Sequence, residues 1–282
     1  MGIRTDLVLE EKEIYNDTGG IEVREEELDG VSVSYTEIKS EQASNRLSKP
    51  QGKYITLEFS SFERLADYGE LTDAFIAALE KLLPKNRENV MVVGLGNSDI
   101  TPDALGPLAV NRVLATRHIG KALAETLGLS GLKSVSVITP GVLGKTGIET
   151  AEMVMSAAEK IKPTAIIAID ALAARRPSRL CNTIQLTDTG ISPGSGVHNS
   201  RRELSFKNMG IPVIAVGVPT VVDISTYRFD LSGESTGEDE ENMIVTPKDI
   251  DRLIGQASEV ISRSLNIFLQ PEIDRDILLN LV

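Results

Sequence analysis

After its first residue, the run Thr164-Ala165-Ile166-Ile167-Ala168-Ile169 has no polar side chain, and Asp170 follows it directly. A run this short and this aliphatic reads as a strand buried on both faces, the kind found inside a parallel sheet. Asn89–Leu95 reads as another buried strand and Lys133–Thr139 as a further strand, and Cys181–Leu186 and Pro212–Gly217 look like two more. Helical periods fall between them. Leu71, Phe75, Ala78, Leu79 and Leu82 recur at helical spacing until Pro84. Glu149–Lys162 places Ala151, Val154, Ala158 and Ile161 on one face, and Asp103–Leu114 reads as a helix with Thr101 as N-cap and Pro102 at its first position. Thr246-Pro247 opens a long helix that Pro271 ends. This alternation predicts a three-layer α/β/α sandwich around a mostly parallel sheet. The alternating stretches Val31–Tyr35 and Lys53–Phe59 predict a small β addition at about residues 20–60.

Composition narrows the function. Aromatics are 4% and Trp is absent, so the core must rest on Ile, Leu, Val and Ala. The 41 acidic and 29 basic side chains give a formal charge of −12, which repels phosphate backbones and argues against direct nucleic-acid binding. Cys181 is the only cysteine, which excludes an intrachain disulfide and fits a reducing, cytoplasmic-type setting. No apolar run approaches the roughly 18 residues of a membrane span. Met1–Lys12 mixes charge with short apolar stretches and does not read as a signal peptide. Residues 228–242 are acid-rich and read as a solvated loop.

Several familiar motifs fail. Gly94-Leu95-Gly96 begins a dinucleotide fingerprint, but Asp99 stands where the third glycine belongs and would repel a pyrophosphate. Gly141–Thr146 ends like a phosphate-binding loop, yet its first glycine is replaced by Thr139. A serine nucleophile would need Gly-x-Ser-x-Gly, and Pro193 precedes Gly194-Ser195-Gly196. Of the two histidines, His118 reads as a solvated surface residue and His198 sits in a Gly-rich loop. Cys181 reads as an inert core thiol at the start of a strand.

Acid chemistry remains. In an open parallel sheet, ligands bind beyond the carboxyl ends of the strands. Residues 94–107 send a strand through a tight turn that carries Asp103, and Asp170 ends the aliphatic run of the third strand. A carboxylate in a first helical turn is also what the helix dipole alone would favour. Asp170 is harder to dismiss, because a charge ending a buried apolar run needs a partner or a purpose. Two acids in one crevice would share a proton, one acting as base on water and the other as acid. The same pair could instead bind a metal, with His198 as third ligand.

At these residues the chain resembles the germination proteases, which degrade small acid-soluble spore proteins. The resemblance is carried by residues 92–97 (VVGLGN), 101–107 (TPDALGP), 139–150 (TPGVLGKTGIET), 166–175 (IIAIDALAAR), 192–197 (SPGSGV), 210–223 (GIPVIAVGVPTVVD) and 243–251 (MIVTPKDID). It implies an atypical aspartic endopeptidase whose essential acids fall on Asp103 and Asp170, with no cofactor. It also implies a homotetrameric zymogen of the forespore and spore core, and a fold shared with hydrogenase-maturation endopeptidases. Asn97, Thr139, Glu149 and His198 are supporting candidates. Thr5-Asp6-Leu7-Val8-Leu9-Glu10 resembles the family's cleavage context, which predicts a self-cut at Asp6–Leu7, a propeptide of residues 1–6 and a single peptidase domain over residues 7–282. Tethering raises the effective concentration, so such a cut needs little intrinsic affinity. Two other readings predict different outcomes. A metal-linked maturation endopeptidase would use Asp103, Asp170 and His198, and a non-catalytic binding module of the same fold would be indifferent to Asp170.

Overall fold

The computed structural model describes residues 5–15, 19–28, 30–65, 68–126, 129, 131–192, 203–232 and 243–280. Helix α1 (Val8–Ile14) leads into the antiparallel strands β1 (Ile21–Leu28), β2 (Val31–Ile38) and, after α2 (Glu41–Leu47), β3 (Gly52–Phe59). Helix α3 (Gly69–Leu82) precedes β4 (Asn89–Gly94), α4 (Leu105–Val110) and α5 (Lys121–Thr126). Then follow β5 (Ser134–Ile138), α6 (Leu143–Thr146), α7 (Thr150–Ile161), β6 (Ala165–Ala174) and β7 (Thr183–Thr187). The chain continues through α8 (Phe206–Met209), β8 (Val213–Asp223), α9 (Ile224–Ser232), β9 (Ile244–Val245), α10 (Ile250–Leu269) and α11 (Arg275–Asn280).

Among the described residues the strands form one sheet in the order β1-β2-β3-β7-β8-β6-β4-β5, with β9 pairing β8. β5, β4, β6 and β8 run parallel, and β7 joins β8 and β3 antiparallel to both. The expected N-terminal β addition is therefore continuous with the main sheet, through the β3–β7 ladder.

Alternation along the strands divides the core between two faces. Val90, Val92, Ile167 and Ile169 pack with Phe75, Leu79, Leu105, Val110, Ile261 and Leu265 from α3, α4 and α10. Met91, Val93, Ile166 and Ala168 pack with Ala151, Val154 and Ala158 of α7. The protein is an α/β/α sandwich.

Several local expectations change. The helix expected over Asp103–Leu114 is a 3-10 turn, Thr101–Asp103, followed by the short α4, and Thr101 is not an N-cap because Ile100 precedes the turn. Asp170 does not end its strand, since β6 runs on to Ala174. The long helix α10 begins at Ile250, three residues after Pro247. Residues 228–232 belong to α9 and not to a loop, while 233–242 lie outside the described residues. Cys181 lies two residues ahead of β7, buried and with φ +60°.

Candidate active site

β5 lies on one side of β4, and β6 and β8 lie on the other. The connections therefore diverge at the carboxyl ends of β4 and β6, where an open α/β sheet has its crevice. Both aspartates are delivered there. The final β4–β6 pair is Gly94 with Ile169, so Asp170 is the first residue of β6 beyond its neighbour. Where a strand ends depends on its partner: Asp170 is mid-strand toward β8, paired with Gly217, and past the end toward β4. It is 7% exposed, and the Ala171 N–H donates to its Oδ1 at 2.9 Å.

Asp103 arrives from β4 through a turn that only glycine permits. Gly96 has φ +109°, and a Cβ there would lie 2.1 Å from the Asp103 carbonyl oxygen. Beyond it, the Asn97 N–H donates both to the Asp103 carbonyl at 3.0 Å and to Asp103 Oδ2 at 2.8 Å. The turn packs against β6 and β8. Gly106 seats the start of α4 directly on backbone: its missing Cβ would lie 2.2 Å from Leu95 O and 2.5 Å from Ile169 O.

The supporting candidates fall differently. Asn97 orients Asp103 through its backbone, while its side-chain Oδ1 accepts from the Asp99 N–H at 3.1 Å. Thr139 is exposed just past β5. Glu149 occupies the N-cap position of α7 without capping it, and its Oε2 is buried with no hydrogen-bond partner among the described residues. Lys145 ties the 139–150 loop to the Asp103 turn through Asp99, whose carboxyl its hydrogen bond holds below the usual range. His198 lies outside the described residues, and among those described no three His, Cys, Asp or Glu side chains are grouped to hold a metal.

The sequence did not reveal where the Thr5–Glu10 segment goes. It lies against the carboxyl-terminal half of β6 and reaches across to β7. Asp6 N–H donates to Ala173 O at 2.9 Å, and Ala173 N–H donates to Asp6 Oδ2 at 2.8 Å. Glu10, fully buried, accepts from the N–H groups of Arg175 at 2.6 Å and Arg176 at 3.0 Å and from the Thr5 hydroxyl. Arg179 closes this clasp. It is 9% exposed and reaches Glu10 at 3.3 Å, Glu13 at 2.6 Å and Glu58 at 2.9 Å. Leu7 is fully buried against Leu172, Ala174 and Val222.

Comparison with known proteins agrees with the motifs. The sequence model described as germination protease matches residues 3–232. The germination protease of Caldanaerobacter subterraneus is 40% identical, over 96% of this chain and 95% of its own. That of Clostridium tetani is 38% identical over 97% of both chains, and that of Priestia megaterium 34% identical over 97% of this chain and 95% of its own. A crystal structure of a [NiFe] hydrogenase maturation protease, HycI from Thermococcus kodakarensis, is similar with a TM-score of 0.38 and 18% identity, covering 67% of this chain and 98% of its own. The family model and the sequence relatives define the chain as a peptidase. The chain belongs to the germination protease family. Among its described residues no helix is long and apolar enough to cross a membrane.

Proposed function

We propose that the chain is an endopeptidase that initiates the degradation of small acid-soluble spore proteins during germination, with Asp103 and Asp170 as its catalytic pair. The observation that carries this reading is the crevice itself. The turn holding Asp103 packs on the strand that carries Asp170 just past the point where β4 stops. One carboxylate takes a proton from water as the water attacks the peptide carbonyl. The other, protonated, supplies a proton to the leaving amine as the C–N bond breaks. Two acids sharing one crevice would favour the singly protonated state the cycle needs.

The same reading makes the chain a self-processing zymogen and homotetramer of the spore core, with residues 1–6 as the propeptide. Hydrolysis of the Asp6–Leu7 bond gives a new carboxylate on Asp6 and a new amino group on Leu7. Support comes from the extended conformation of Leu7, φ −81° and ψ 123°, and from its packing on Leu172 and Ala174, on the strand that carries Asp170. The test is incubation of the purified protein with a small acid-soluble spore protein, with the products mapped by mass. Cuts on the carboxyl side of acidic residues are expected. An intact substrate after prolonged incubation of the Leu7-started protein would refute the reading.

A further inference from the structure

Gln185 is the one long polar side chain in β7, whose other described members include the core residues Ile184 and Leu186. It is 6% exposed, and a buried amide must have its donors and acceptor satisfied. It satisfies them on the N-terminal segment. Its Nε2 donates to the Asp6 carbonyl at 3.1 Å, and its Oε1 accepts from the Val8 N–H at 2.8 Å. A carbonyl and an N–H two residues apart are what a strand presents to one residue of a neighbouring strand. The side-chain amide therefore stands in for a ladder partner and holds residues 6–8 extended.

The sheet explains why this residue reaches that bond. Asp170 on β6 pairs with Gly217 on β8, and Gly217 pairs with Gln185 on β7. Residues in register across a sheet project from the same face. Asp170 and Gln185 therefore flank Gly217 on one face, their backbones about 10 Å apart at two strand spacings. A Cβ on Gly217 would meet Leu172 Cδ1 at 2.4 Å, and Leu172 is the residue on which Leu7 packs. The glycine lets Leu172 lie flat, so the Asp6–Leu7 bond rests on the face that Asp170 and Gln185 share.

We infer that Gln185 is a substrate-positioning residue for the self-cut, its Nε2–H bound to the carbonyl oxygen that becomes negative when water adds. This rests on the self-processing reading above. A donor fixed on that oxygen before reaction strengthens as charge develops, and removing one such donor from a peptidase site lowers turnover on the order of 100-fold.

The experiment measures the first-order rate of Asp6–Leu7 cleavage by mass, from pH 4.5 to 8, in the parent chain, Gln185→Leu and Gln185→Glu. Gln185→Leu is expected to be slower than the parent by at least tenfold at every pH. Glu at 185 keeps the acceptor for Val8 but donates to Asp6 only when protonated. Its rate relative to the parent should therefore rise as pH falls, which a purely structural tie would not produce. Parent-like cleavage in Gln185→Leu, or a Gln185→Glu rate that stays parallel to Gln185→Leu at all pH values, overturns the role of Gln185 alone. A parent chain never cut at Asp6–Leu7 overturns the self-processing reading and this inference with it.

Discussion

Arg179→Met is the sharpest probe of the clasp that holds the N-terminal segment. In the parent, one guanidinium serves Glu10, Glu13 and Glu58, and burial is deep only at Glu10. Removing one partner of a buried ion pair costs about 3–5 kcal/mol, since the other charge stays behind. Glu13 and Glu58 keep about a third of their side chains in water, at 29% and 32%, and rehydrate with little penalty. Glu10 cannot rehydrate in place, but it retains two backbone N–H donors and the Thr5 hydroxyl, and hydrogen bonds to a charge are worth about 1.5–3 kcal/mol each. These bring the expectation to the lower end, about 3 kcal/mol, or more than a hundredfold in the opening equilibrium. Two measurements read it: urea unfolding, and hydrogen exchange at the amides of Ala173, Arg175 and Arg176, whose acceptors are Asp6 and Glu10. Adding Glu10→Gln to Arg179→Met should return part of the loss, because the stranded charge is then gone. A change below about 1 kcal/mol, with exchange at the three amides unaltered, would refute the argument that this cluster pins the segment.

Two further outcomes follow from packing and burial. Gly106→Ala sets a methyl against the backbone of Leu95 and Ile169, which cannot yield as a side chain can, so it should destabilise by about 1–3 kcal/mol and lower peptidase activity, while Gly120→Ala, with open space around it, is neutral by thermal denaturation. Burial pushes the Cys181 thiol and the Tyr54 phenol up to about 12, from 9 and 10. Between those values the folded chain holds more protons than the unfolded one, so urea stability should fall from about pH 9 to 12, with part of that slope removed by Cys181→Ala; a stability that is flat or rising over the window contradicts it.

The parallel strands were legible because buried strands need aliphatic residues on both faces, as Ile166–Ile169 and Val213–Val216 have. Helix α7 was legible from its single apolar stripe. The Asp103 turn was misread because Thr101 and Pro102 are sound helix-start signals taken alone. What accompanies the change is the chain just upstream: the Gly96 turn binds Asp103 through the Asn97 N–H, and the first turn is 3-10. The position of Asp170 was half legible. The aliphatic run stops there, but the backbone continues as strand because β8 does, and only the end of β4 leaves the residue without a neighbour on that side. The Asp6–Ala173 pairing and the Gln185 clasp join residues far apart in the chain, and the signal for Gln185 was a lone amide inside a buried strand.

The most direct test of the central claim is the initial rate of spore-protein cleavage by Asp103→Asn and Asp170→Asn, each checked for parent-like circular dichroism. An amide preserves shape but can neither take water's proton nor supply one, so both exchanges should abolish cutting while the fold persists. A folded Asp170→Asn or Asp103→Asn protein that cuts at the parent's rate would show that the bond is broken by other groups.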